Sequence, residues 1–316
     1  ELKARVKTRL LIVIVENQMP SPAPAMLSPR YFLNLFKPKP LVDEGSADFI
    51  FTTVAWVLQN FDHEEFFQRT RLVAPSNEFF PGMVTSVDEK AQNIFRHTLR
   101  YSGLQHWPFQ LKSLIERDID NECQVQPAPQ KELALIHRNS FPELSSADGS
   151  MAADGADAYG MEVPVIMTEQ PLFVFYNPQQ TLKPEDMSAS YAHVIAQHLI
   201  IQSTLPPPGG MQFFAEASEV LASMMGFGVL LSNSAYTFRG GCGSCYNAMA
   251  NRQPALTELD SVFTLALFCR LKGIEHKEAT SHLKKHLRSS YKQASKQIDQ
   301  RLESLNQLKI LSGLKV

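Results

Sequence analysis

Between Met187 and Ile201 the chain is apolar on almost every side. A helix of that composition belongs inside a folded protein. At roughly 100° per residue, Ser190, His193 and Gln197 fall on one narrow polar stripe along it. Polar groups in a core need partners, because burying one unpaired costs about 1–3 kcal/mol. Two expectations follow: a large helical core built around a helix at 186–203, and a polar cluster inside it. His193 and Gln197 stand four apart, so both side chains can point at one metal ion or at each other, and Glu219 on the next helix can complete the group. His198 is turned by about 140° from His193 and makes a poor co-ligand.

A zinc site of the His-Glu-x-x-His type holds its metal with two histidines one turn apart and uses the glutamate as general base. Here Ala192-His193-Val194-Ile195-Ala196-Gln197 carries valine at the base position and glutamine at the second histidine. Valine cannot take a proton, and glutamine is a weak zinc ligand. The residues therefore point to a hydrogen-bonded remnant of His193, Gln197 and Glu219, with no catalytic residue assigned. The rival expectation is an active zinc-dependent hydrolase using His193 and Glu219, with His198 or Glu216 as a further ligand.

A second constellation is Arg239-Gly240-Gly241-Cys242-Gly243-Ser244-Cys245-Tyr246. A Cys-x-x-Cys pair among glycines is a half-site for a soft metal, or a dithiol able to close a disulfide. His282 and His286, four apart in the last predicted helix, would complete a Cys2His2 zinc set with Cys242 and Cys245. A thiol redox protein using Cys242 and Cys245 is the remaining alternative. Arg239 and Arg252 flank the thiols and either tune them or pair with nearby acids. Gly226 and Gly228, two apart in an apolar run, point to close helix contact rather than phosphate binding.

A chain of 316 residues, 44% hydrophobic, is long enough for a large core. Its net charge of −2 gives no electrostatic reason to expect nucleic acid or a membrane surface, leaving an unidentified protein as the expected partner. The apolar run Val220–Leu231 is too short to span a bilayer. Four cysteines do not form a secreted disulfide framework, so a cytoplasmic location is expected. Residues 1–35 are expected to be peripheral to the fold, either because the chain is a fragment or because translation begins later, for instance at Met26. Residues 36–310 are expected to form one domain with a surface loop near 145–160.

Apolar spacing predicts a helix over Phe49–Phe61, and Ser86-Val87-Asp88-Glu89 opens another that stops at Ser102-Gly103. Arg71–Ala74, Leu133–His137, Val163–Met167 and Leu172–Tyr176 read as strands. Four further helices are predicted at 186–203, 213–235, 257–273 and 276–310. Mixed strands and helices followed by a helical block predict an α+β fold.

The chain resembles an uncharacterised family of bacterial proteins with a zincin-like pattern, in which Ala-His-Glu-x-x-His is followed by Thr-Asp-Leu and an apolar run ending in Gly-x-Gly. The matching positions are Ala192–Gln197, Ser218-Glu219-Val220 and Gly226-Phe227-Gly228. Supporting matches are the Trp56 helix, Leu72–Pro81 and Leu265-Ala266-Leu267-Phe268, so the resemblance covers most of residues 36–290. Of the site residues only His193 is unchanged. The resemblance implies a C-terminal, mainly helical zincin-like core that has lost peptidase chemistry and serves a binding or structural role.

Overall fold

Asp43 starts the first helix: its carboxylate accepts the amide hydrogen of Ser46 at 3.0 Å, satisfying one of the donors a helix N-terminus leaves open. The helix, α1 (Glu44–Asn60), buries Ala47, Ile50, Phe51, Val54, Val57 and Leu58, the helical spacing expected around Trp56. The computed structural model describes residues 40–61, 63–82, 84–114, 171–203, 205–235 and 251–311. The expected N-terminal extension, the strands at 133–137 and 163–167 and the loop at 145–160 lie outside the described residues.

After α2 (His63–Gln68), α3 (Val87–Ser102) begins at Ser86, whose hydroxyl accepts from the Glu89 amide, and stops at Gly103 in a left-handed conformation, as the sequence predicted. The only strands among the described residues are β1 (Phe109–Ser113) and β2 (Leu172–Tyr176). They pair in parallel, from Phe109 opposite Leu172 to Ser113 opposite Tyr176. Helices then dominate: α4 (Pro184–Ser203), α5 (Phe214–Ala222), α6 (Gly228–Ser234), α7 (Glu258–Lys272), α8 (His276–His282), α9 (Leu287–Asp299) and α10 (Leu302–Leu311). The protein is thus mostly helical with one small parallel sheet. The apolar helix that anchors the sequence argument, α4, lies against α3, α5, α6 and the sheet, while α7 packs on α6 and α9 and α10 returns to α1.

Three sequence expectations need correction. Leu72-Val73-Ala74 is buried but is not a strand. Its Val73 amide donates to the Gly226 carbonyl at 2.9 Å, and this is where the predicted helix 213–235 breaks. Between α5 and α6 the chain makes a π-helical turn, Ser223–Phe227, with Gly226 at φ +100°. A side chain at Gly226 would put its Cβ 2.1 Å from the Arg71 carbonyl oxygen, so this position needs glycine twice over. A Cβ on Gly228 would meet Leu265 of α7 at 2.9 Å, the close helix contact expected of this pair. By length and composition the 24 residues Met211–Ser234 could cross a membrane, but 83% of their most apolar window is buried inside the protein. Broken at Gly226 and covered by α4 and α7, they form a core element.

The third correction concerns 276–310, which is three helices rather than one. The Lys284 amide bonds to the side chain of Asn233 at 3.0 Å instead of to a helical carbonyl, and this opens the chain at 283–286.

Candidate polar site between the core helices

Glu219 lies on α5 with none of its side chain exposed. A carboxylate in so dry a place must be matched by donors or a cation. Arg252, only 2% exposed, supplies the cation through its Nη1 on Glu219 Oε1. The Ala255 amide donates to the same oxygen at 2.9 Å, and the Leu256 amide to Oε2 at 2.9 Å. The rest of the Arg252 fork is also used: Nε donates to Ser234 Oγ at 3.0 Å and Nη2 reaches the Leu231 carbonyl at 3.4 Å. The Arg252 amide in turn meets Asp186 at 3.5 Å. Arginine is suited to this place because its planar fork serves several acceptors at once.

His193 does stand beside Glu219, as the polar stripe predicted, with Nδ1 3.7 Å from Oε1. Its Nε2 lies 3.1 Å from the Ala215 carbonyl, which can only accept, so Nε2 carries a hydrogen. The Gln197 amide nitrogen stands 3.4 Å from the same ring nitrogen, which, already bearing a hydrogen, cannot accept from it. Burial holds the His193 pKa below its ordinary value; the Glu219 carboxylate opposes the shift and Arg252 reinforces it. The two helices thus bring His193, Gln197 and Glu219 together, but around a guanidinium. A divalent cation on Glu219 would face the charge of Arg252, while the ring nitrogen that His193 turns to this carboxylate is Nδ1.

His198 is buried on another side of α4, where Nε2 donates to the Phe173 carbonyl of β2 at 3.2 Å and the ring meets Phe109 edge-on. It ties helix to sheet and is not part of the Glu219 cluster. Burial lowers its pKa as well, against the opposing pull of the Phe173 carbonyl. Glu216, the other ligand weighed in the rival expectation, sits in the first turn of α5.

The zinc set expected from Cys242, Cys245, His282 and His286 loses its geometric premise. His282 ends α8 and His286 precedes α9, so they do not share a helical face. His286 instead meets Glu258 at 3.4 Å. Cys242 and Cys245 lie outside the described residues. Among the described residues, no group of three or more His, Cys, Asp or Glu side chains is placed to hold a metal ion.

One polar residue of the core was not anticipated. Asn233 on α6 donates to Glu185 Oε1 at 2.5 Å and to the His282 carbonyl at 3.0 Å, while its own carbonyl accepts from Lys284 Nζ at 2.6 Å. Burial raises the Glu185 pKa, and the Asn233 hydrogen bond and the charge of Lys284 oppose the rise. Arg252, expected either to tune the thiols or to pair with a nearby acid, pairs with Glu219. Its signal was Glu219 itself, an acid in an apolar helix that requires a cation from elsewhere. No family model, curated protein or solved structure matches this chain.

Proposed function

We propose that this chain is a non-catalytic protein with a zincin-like helical frame, in which His193, Gln197 and Glu219 are a polar remnant and the role of the protein is binding or structural. The observation that carries this reading is the occupancy of Glu219: Arg252 and two backbone amides engage the carboxylate that a zincin would offer to metal. Val194 at the position of the general base supports it, as does the resemblance of Ala192–Gln197 and Gly226–Gly228 to the zincin-like pattern. An active zinc hydrolase on the same residues would require Arg252 to withdraw from the Glu219 carboxylate. Zinc, in this reading, belongs to Cys242 and Cys245, the protein works in the cytoplasm, and its counterpart is another protein; redox chemistry of the same two thiols is the competing use.

Metal analysis of the purified protein, repeated with Cys242→Ser and His193→Ala, tests the proposal. Any zinc is expected to follow Cys242→Ser. Stoichiometric zinc lost only with His193→Ala would overturn the non-catalytic reading, and a disulfide formed readily by metal-free protein under mild oxidant would favour thiol chemistry.

A further inference from the structure

We propose that the cluster around Glu219 is a finished cation-binding site of guanidinium specificity, and that Arg252 is its resident cation, carried in by the strap 251–256. The inference rests on the non-catalytic reading and deepens it by naming the class of cation the site takes.

The acceptors are arranged for a flat fork rather than a point charge. Glu219 Oε1, Ser234 Oγ and the Leu231 carbonyl each face a different nitrogen of the same guanidinium, and they come from two helices, α5 and α6. An ammonium group has three donors but no planar spread, so a lysine here would leave acceptors unmet in a buried site. The strap that delivers the fork is not helical. Its backbone is fixed to the same carboxylate through the Ala255 and Leu256 amides. Its other end is held at the start of α4, where Asp186 accepts from the Arg252 amide and Lys183, just before the helix, donates to Asn251. Side chain and backbone of the strap therefore converge on Glu219, and closure of the strap and occupancy of the site by any free cation exclude each other.

The test is chemical rescue. Arg252→Ala removes the atoms of ethylguanidinium while leaving Glu219, Ser234 and Leu231 in place. The variant is expected to melt below the wild type and to regain melting temperature saturably on addition of ethylguanidinium, beyond any change the same additive causes in the wild type. Ethylammonium and sodium chloride at equal concentration are expected to give no such recovery. Absence of rescue, or equal rescue by ethylammonium, would overturn the inference. Where Arg252→Ala does not accumulate folded protein, Arg252→Lys decides: it is expected to melt below the wild type and to lose hydrogen-exchange protection at the Leu256 amide. A lysine variant as stable and as protected as the wild type overturns guanidinium specificity. Zinc that disappears with His193→Ala would overturn the non-catalytic reading and the inference resting on it, whereas failed rescue without such zinc would overturn the inference alone, so the two failures are distinguishable.

Discussion

Arg252 and Glu219, 33 positions apart in the chain, form a buried ion pair that holds the strap 251–256 against α5. Taking two charges out of water is costly, and the pair is tolerated because nearly every polar atom of both groups is engaged. Glu219, one of the residues that look most like a broken metal site, is therefore the one that fastens a non-helical segment to the core. His193 and Gln197 border this fastening on its α4 side.

Gly226 and Gly228 separate the cost of backbone strain from that of crowding. At Gly226 an added Cβ would lie 2.1 Å from a backbone oxygen at a positive φ, whereas at Gly228 it meets the flexible end of Leu265. Gly226→Ala is expected to lower unfolding free energy by about 3 kcal/mol and Gly228→Ala by about 1 kcal/mol. Urea unfolding of the two variants checks the order; equal costs would contradict the close approach of residues 71–73 to the helix break.

Gln297 reaches from α9 to the start of α1, accepting from the Leu41 amide at 2.8 Å and donating to the Val42 carbonyl at 2.9 Å. Gln297→Leu leaves these backbone groups unmatched and is expected to cost about 2 kcal/mol. Hydrogen exchange should show the Leu41 and Val42 amides losing protection in the variant. Unchanged protection would mean that something else holds this entry to the fold.

Stability is expected to fall as the solution is acidified below the ordinary histidine pKa of 6.5. His193 and His198 both have lowered pKa values in the folded protein, each chiefly through burial. The unfolded chain therefore takes up protons first, and the contribution of the neutral rings, present above 6.5, is lost as pH drops through the folded values. His198→Gln keeps a donor for the Phe173 carbonyl without a titrating group. Urea midpoints at about pH 7.5 and about pH 5.5 should differ less in this variant than in the wild type; an identical difference would remove His198 from the linkage.

Much of the helical frame was legible because its signals are local. Asp43, Ser86 and Thr257 accept from amides in the first turns of α1, α3 and α7, and α1 and α3 show apolar residues at helical spacing. β1 was missed because its partner β2 comes after a long intervening stretch, and the alternation of Phe109-Gln110-Leu111-Lys112 spans only two apolar residues. Arg71–Ala74 was read as a strand because its buried apolar residues fit one. Its hydrogen bond goes instead to a carbonyl freed by the turn at Gly226. The unbroken helix 276–310 failed for a similar reason: Lys284, Lys285 and His286 continue the charged pattern, while Asn233, far away in sequence, takes the backbone hydrogen bond. In the site, the geometry of His193 and Gln197 followed from spacing alone. The partner of Glu219 could not, since an ion pair between α5 and a loop leaves no periodicity to read.

The central claim, that Glu219 is the anchor of the strap through Arg252, is tested most directly by a double-mutant cycle with Glu219→Gln and Arg252→Met, read by urea unfolding. Each single change strands a buried polar or charged partner and is expected to cost about 3–5 kcal/mol. The double variant is expected to cost less than the sum by about 2 kcal/mol or more. Costs that add within about 0.5 kcal/mol would mean that the two groups are not coupled, and would contradict the account.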